Sequence, residues 1–218
     1  MPQLFIVGAG PGIGQAVALR FAREGFDIGL VARSRATLDS VTRALAASNV
    51  GVAGETADAA DGPALRTALA ALEARLGQPE VLVYNAGLIQ ADRLGDLSPE
   101  EHQHAWAVNV VGAITAADYA AKKMAEAHSG TILMTGGMPK PVAEVASLSL
   151  GKAGVRALTE LMAAEYGPLG IHAATITVAG AVAPGTAFDP DAIAEHYWRL
   201  HNQSPRQWER EVLFDDDA

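Results

Sequence analysis

Gly8-Ala9-Gly10-Pro11-Gly12-Ile13-Gly14 follows the apolar run Leu4-Phe5-Ile6-Val7 and precedes an alanine-rich stretch that opens at Gln15. A glycine-rich turn between a buried strand and a helix lets the main chain approach a ligand that side chains would hold away. The free N–H groups at the helix start, with about half a positive charge, attract a phosphate. Gly8, Pro11, Gly12, Ile13 and Gly14 are therefore candidate pyrophosphate contacts, and Pro11 stiffens the turn. The spacing is G-x-x-x-G-x-G. It is not the dinucleotide fingerprint G-x-G-x-x-G, because the sixth residue from Gly8 is Ile13, and the lysine and hydroxyl residue of a P-loop are missing. The competing reading is a plain tight turn whose glycines serve packing alone.

Outward from this turn, short apolar runs rich in β-branched residues alternate with longer amphipathic stretches, the pattern of repeated β-α units around a parallel sheet. Seven strands are expected, at 3–7, 27–31, 49–54, 80–84, 131–135, 171–178 and 211–214. Helices are expected at 12–24, 35–47, 62–76, 99–110, 113–127, 143–166 and 190–201. Alanine favours them because it loses no side-chain entropy. Ser98, with Pro99 next and Glu101 three residues on, combines an N-cap hydroxyl, a proline at the first helical position and a capping-box acid. No repeat, linker or low-complexity block divides the chain, so residues 1–218 are read as one domain with an acidic tail at 215–218.

Composition removes several function classes. The 218 residues carry 16 Lys+Arg against 25 Asp+Glu, a net charge of −9. A nucleic-acid binder needs a basic stripe, so neither nucleic acid nor an anionic membrane is an expected partner. The absence of cysteine excludes disulfides, thiolate metal sites and a cysteine nucleophile together. The longest uncharged stretch, 171–188, is broken by Gly180, Pro184 and Gly185 and cannot form a continuous spanning helix. The first ten residues lack a cationic flank and a cleavage site, so a cytoplasmic location is expected. His102 and His104, at i and i+2 of a helix, do not face one another, and no metal site is expected. No G-x-S-x-G elbow follows a strand, so a hydrolase is not supported.

Arg33, Ser34 and Arg35 follow the second strand, where an NAD-binding domain usually carries an acid for the adenosine ribose. If Ser34 caps the next helix, two cations sit at its positive end, each disfavoured by roughly 0.3–1 kcal/mol. A 2′-phosphate would remove that penalty through charge-assisted hydrogen bonds worth about 1.5–3 kcal/mol each. NADP(H) is therefore expected in preference to NAD(H). The alternative is that both arginines point into solvent.

With these residues in view, the chain resembles the short-chain dehydrogenase/reductase family over nearly its whole length. Gly8, Gly12 and Gly14 match the family's glycine motif, and Asp58, with Ala59 beside it, matches its adenine-contacting acid. Asn85-Ala86-Gly87 matches the turn after strand four, Asn109 the helix-kinking asparagine, and Lys152 the lysine that holds the nicotinamide ribose. The resemblance implies a three-layer α/β/α Rossmann-like sandwich with a seven-stranded parallel sheet. The dinucleotide is expected across its C-terminal edge, where open parallel sheets bind ligands in general. It further implies a homodimer or homotetramer built on helices 113–127 and 143–166, and a segment at 179–205 that covers a small-molecule substrate.

The departures from the family pattern bear on catalysis. Its reaction centre is Tyr-x-x-x-Lys, and four residues before Lys152 stands Leu148. The family's serine is expected at the end of strand five, where Thr135 is the residue that could supply a hydroxyl. Asn109, Thr135 and Lys152 are thus the candidate catalytic residues. Ala179-Gly180 replaces the prolyl-glycine after strand six, and Pro11 stands where NADP-preferring members often carry a basic residue. General acid catalysis contributes typically 10²–10⁴ in rate, so a leucine there should cost about 3–5.5 kcal/mol of barrier unless another group serves. Ser147 and Ser149 flank Leu148 but point about 100° away from it. Among the tyrosines, Tyr197 on helix 190–201 could reach the nicotinamide, unless Ile193, Tyr197 and Leu200 form a packed helical face. Two functions follow: an NADP-dependent oxidoreductase with an altered proton donor, or a catalytically lapsed NADP-binding protein acting as a sensor or partner subunit.

Overall fold

The structure, a computed structural model, describes residues 1–215; the expected acidic tail beyond Asp215 lies outside the described residues. Seven strands, β1 (Gln3–Val7), β2 (Asp27–Ala32), β3 (Val52–Thr56), β4 (Val81–Tyr84), β5 (Gly130–Gly137), β6 (Ile171–Val178) and β7 (Glu211–Phe214), join in one sheet. Their order is β3-β2-β1-β4-β5-β6-β7, with every pairing parallel. The helices are α1 (Ile13–Ala22), α2 (Arg35–Ala44), α3 (Gly62–Leu76), α4 (Pro99–Trp106), α5 (Gly112–Ala127), α6 (Ala146–Tyr166) and α7 (Pro190–His201). Among the described residues no helix is long and apolar enough to cross a membrane.

Strands buried on both faces read as nearly continuous apolar runs, and β1, β4, β5 and β6 do so. One face packs against α1, α2 and α7 through residues such as Phe21, Leu38, Val41, Ile193 and Leu200. The other packs against α3, α5 and α6 through Leu65, Leu69, Met124, Val155 and Met162. The alanines of α5 lie fully buried at 113, 116, 117, 120 and 121, which brings that helix's backbone close to the sheet. The expected three-layer sandwich with its seven parallel strands is the observed fold.

The element ends shift for local reasons. β3 runs 52–56 instead of 49–54, because Ile28 pairs with Val52 and the ladder continues to Ala32 with Thr56; at an edge, Glu55 and Thr56 need no apolar face. α2 stops at Ala44, three residues before the expected end, as the chain tightens into turns that bury Leu45. α6 begins at Ala146 instead of 143, because Val145 is held in a parallel bridge with Asp92. β5 extends past 135 to Gly137, where its ladder with β6 ends at Val178. The expected helix 99–110 is α4 followed by a wide π turn at Ala107–Val111 that leads directly into α5.

Helix α7 corrects another expectation. It does not fold over the sheet's edge: Ile193, Ala194, Tyr197 and Leu200 are fully buried in the layer shared with α1. Phe21 and Phe26 meet Trp198 edge-on at 5.2 and 5.9 Å, and the Arg20 guanidinium lies 4.8 Å from the Trp198 ring. Of the segment 179–205, α7 takes up Pro190–His201.

Candidate functional site

Strand order reverses at β1, which has β2 on one side and β4 on the other. Chains leave the carboxyl ends of these strands in opposite directions, and a crevice opens between them. Gly8, Pro11, Arg33, Ser34, Asp58, Ala59, Asn85, Ala86 and Gly87 all line this cleft of about 570 Å³. Gly12 caps α1, while Ile13 and Gly14 are buried residues of its first turn.

The glycines divide into two kinds. A Cβ on Gly10 or Gly12 would meet nothing within 4 Å, so bare main chain there faces open space. Gly8 has φ +91° and a side chain on it would overlap the Ala86 backbone, while a Cβ on Gly14 would lie 2.6 Å from the Gly8 carbonyl. The packing reading holds at positions 8 and 14, and the ligand reading fits 10 and 12. Among the described residues no side chain caps α1, which leaves first-turn amides for an outside acceptor. Open space over two glycines beside an uncapped helix start fits a pyrophosphate.

At the far end of the cleft, Ser34 is the N-cap of α2 and accepts the Thr37 N–H at 3.2 Å. The two neighbouring arginines differ. Arg35 pairs with Asp39 at 3.1 Å on the exposed helix surface, whereas Arg33 lines the cleft and enters no ion pair among the described residues. Asp58 accepts the Ala60 N–H at 2.9 Å and shapes the wall opposite.

The candidate catalytic residues are only partly brought together. Lys152 is 8% exposed, and its ammonium donates to the Thr135 carbonyl at 2.7 Å. Burial, with Arg156 nearby, pulls its pKa down to about 8. In the π turn the Tyr84 hydroxyl donates to the Val108 carbonyl, and Asn109 Oδ1 accepts the Leu88 N–H at 2.9 Å. Asn109 Nδ2 is buried with no partner among the described residues. A Cβ on Gly87 would lie 3.4 Å from Asn109 Oδ1 and 3.7 Å from Lys152 Nζ, so both groups flank that glycine. Thr135 does not join them through its side chain: its hydroxyl bonds Asn85 and Tyr197. At the end of β5 the position next to Lys152 is Gly137, whose Cβ would lie 3.9 Å from the lysine chain. Leu148, one helical turn before Lys152, is buried, and the hydroxyls of Ser147 and Ser149 bond Asp92 and Val142. Tyr197 is fully buried, so its phenol is closed off from a substrate at the sheet's edge.

Sequence reasoning missed Asp92, a 3%-exposed carboxylate on the loop after β4. It accepts the Ser147 N–H at 2.9 Å, the Ser147 hydroxyl and the Gln90 amide at 3.1 Å. Its own main chain bonds Glu144 and Ala146. Asp92 thus caps α6 from a distant loop, which no local pattern signals. Burial raises its pKa, but the Ser147 bonds and the other donors outweigh it and hold the group below the ordinary 3.8. A depressed folded value means a contribution that is complete above the unfolded value and lost as pH falls through the folded one. Asp92→Ala should lower the free energy of unfolding at neutral pH by about 1–3 kcal/mol, read from urea midpoints. Asp92→Asn should flatten the loss of stability below about pH 4; an acid limb identical to wild type would show that another group governs it.

The short chain dehydrogenase family model matches residues 3–190. A short-chain dehydrogenase/reductase of Armillaria gallica is 30% identical over 192 residues, covering 85% of this chain and 70% of that protein. The 2,3-dihydro-2,3-dihydroxybenzoate dehydrogenase of Bacillus subtilis is 30% identical over 172 residues, 77% of this chain and 65% of the relative. Among solved structures, a metagenomic short-chain oxidoreductase in complex with NADP superimposes with a TM-score of 0.87 at 27% identity, covering 97% of this chain and 96% of that one. With its glycine turn, switch-point cleft and buried lysine in the order described, the chain belongs to the short-chain dehydrogenase/reductase family.

Proposed function

We propose that this family member binds NADP(H) in preference to NAD(H) and acts as an oxidoreductase on a small carbonyl, alcohol or related substrate, with an altered proton donor. The observation that carries the cofactor choice is Arg33, a cation in the wall of the cleft that enters no ion pair among the described residues. Gly8 to Gly14 and the start of α1 would hold the pyrophosphate, Asp58 and Ala59 would border the adenine, and Asn85 to Gly87 with Lys152 would border the nicotinamide ribose. The cofactor, when bound, supplies or accepts a hydride. The NADP in the metagenomic relative's structure supports the same choice by likeness. Titration of the purified protein should give tighter binding of NADPH than of NADH, and Arg33→Ala should erase most of the difference, about 10-fold or more for one or two lost charge-assisted bonds. Equal affinities in wild type would overturn the preference.

A second reading, a catalytically lapsed NADP-binding protein, is favoured by the residues around Lys152. Both neighbours that could carry a hydroxyl, Leu148 and Gly137, carry none. In the enzymatic reading, Lys152 orients ribose hydroxyls and Asn109 holds the turn at Leu88, while the proton comes from water or from the substrate's own medium. NADPH consumption over a panel of aldehydes, ketones and enones separates the two. Measurable turnover in wild type supports the oxidoreductase; turnover that arises only in Leu148→Tyr supports a lapsed site with its remaining parts intact.

The same reading includes a homodimer or homotetramer. Trp106, Val111 and Ile114 along the α4–α5 rod, and Leu150 and Leu161 on α6, expose large apolar side chains that a second copy would cover. Sedimentation should give a multiple of 22.6 kDa, and a single 22.6 kDa species at micromolar concentration would remove this part of the proposal.

A further inference from the structure

Tyr197 presents an unusual expense. It is fully buried among Leu, Ile and Phe side chains of the α1–α7 layer, where a phenylalanine would fill nearly the same space. A hydroxyl in such a place costs free energy unless it is bonded. Its partner is Thr135 Oγ1, at 2.6 Å. Thr135 Oγ1 is in turn 2.9 Å from Asn85 Oδ1, and Asn85 Nδ2 is 2.8 Å from the Gly8 carbonyl.

The direction of every bond in this series is fixed from one end. A backbone carbonyl can only accept, so Asn85 must turn its amide N–H toward Gly8 and its oxygen toward Thr135. That oxygen can only accept as well, so the Thr135 hydroxyl donates to it. The Thr135 oxygen then has a lone pair for Tyr197, whose hydroxyl is the donor at the far end. Burial raises the Tyr197 pKa, which keeps that proton in place. The series runs from α7 across the ends of β5 and β4 to the end of β1, three strands adjacent in the sheet.

The recipient is the pivot of the glycine turn. The Gly8 carbonyl also accepts the Gly10 N–H at 2.8 Å, and the first turn of α1 lies against it at Gly14. We infer that Tyr197 is a remote positioning residue for dinucleotide binding, acting through Thr135 and Asn85 to fix the Gly8 carbonyl and so the bare main chain that meets the pyrophosphate. This rests on the nucleotide-binding reading above. It gives the Thr135 hydroxyl a role different from the substrate contact expected of it. Each bond is aligned by the one before it, and chains of this kind strengthen cooperatively.

The test uses wild type, Tyr197→Phe, Thr135→Val, Thr135→Ser and the Tyr197→Phe/Thr135→Val double variant. Two readouts apply: NADPH affinity by calorimetry, and amide hydrogen exchange of the unliganded protein over residues 8–14 against residues 171–178. Tyr197→Phe and Thr135→Val should each weaken NADPH binding by about three- to ten-fold, the range of one lost hydrogen bond. Both should also speed exchange at 8–14 while leaving 171–178 unchanged. The double variant should be little worse than Thr135→Val alone, because the two changes break one chain. Thr135→Ser, which keeps the hydroxyl, should bind more tightly than Thr135→Val. Wild-type affinity and wild-type exchange at 8–14 in Tyr197→Phe would overturn the inference, as would strictly additive losses in the double variant. If Thr135→Val fails to fold, Tyr197→Phe and Thr135→Ser still decide. If wild type binds no NADPH, the nucleotide reading falls, and the exchange arm still decides whether the chain holds the turn.

Discussion

The peptide unit at Gly8 ties the carboxyl ends of three strands together. Its N–H reaches the Val31 carbonyl of β2 at 2.9 Å, and its carbonyl receives the Asn85 side chain from the end of β4 at 2.8 Å. Its positive φ turns the chain toward α1. An L side chain in this conformation is disfavoured by roughly 1–2 kcal/mol before any contact is counted, and here it would also overlap Ala86. The requirement for glycine at position 8 is therefore set by the sheet and not by a ligand. The freedom of Gly10 and Gly12 follows from it, because a turn anchored at one end can leave its outer residues bare.

The two halves of the candidate site differ in what they are made of. The half at β1 and β2 relies on main chain, a helix start and one arginine that enters no ion pair among the described residues. The half at β5 and α6 relies on individual side chains, and there Leu148 and Gly137, beside Lys152, carry no hydroxyl. Leu148 lies buried on a well-formed helix, and Gly137 closes a complete ladder with β6. A residue without a hydroxyl fits the packing at both positions. That asymmetry underlies the second reading proposed above, a nucleotide site without its chemistry.

The fold was largely legible in the chain because parallel strands covered on both faces leave an uninterrupted apolar record, and because Ser98 with Glu101 and the 8–14 turn mark helix starts by local chemistry. Both ends of the capping box form as read. The cleft was legible for the same reason, since its walls are turns that directly follow strands. What escaped were relations between distant residues. Nothing near Asp92 indicates that it caps a helix that begins at Ala146, and nothing near Thr135 indicates that its hydroxyl turns toward Tyr197. The end of β5 was misjudged because Gly136 and Gly137 have low strand propensity, while the ladder with β6 holds them in place. The parting of Arg33 from Arg35 is likewise invisible until the helix geometry sets Asp39 one turn beyond the second arginine.

The wide turn at Ala107–Val111 places one more residue in a rod than regular winding would need. Each residue advances a regular helix by about 100°, so side chains before and after the turn fall out of phase by roughly that angle. The α4 segment can keep a hydrated stripe outward while α5 lays its alanines on the sheet, though no break in the rod separates them. Removal of one residue from this stretch would restore regular winding and rotate one segment against the other. Asn109 and its neighbours could then no longer meet Leu88 and the alanine seam at once, so the insertion acts as a coupling between two surfaces that point different ways.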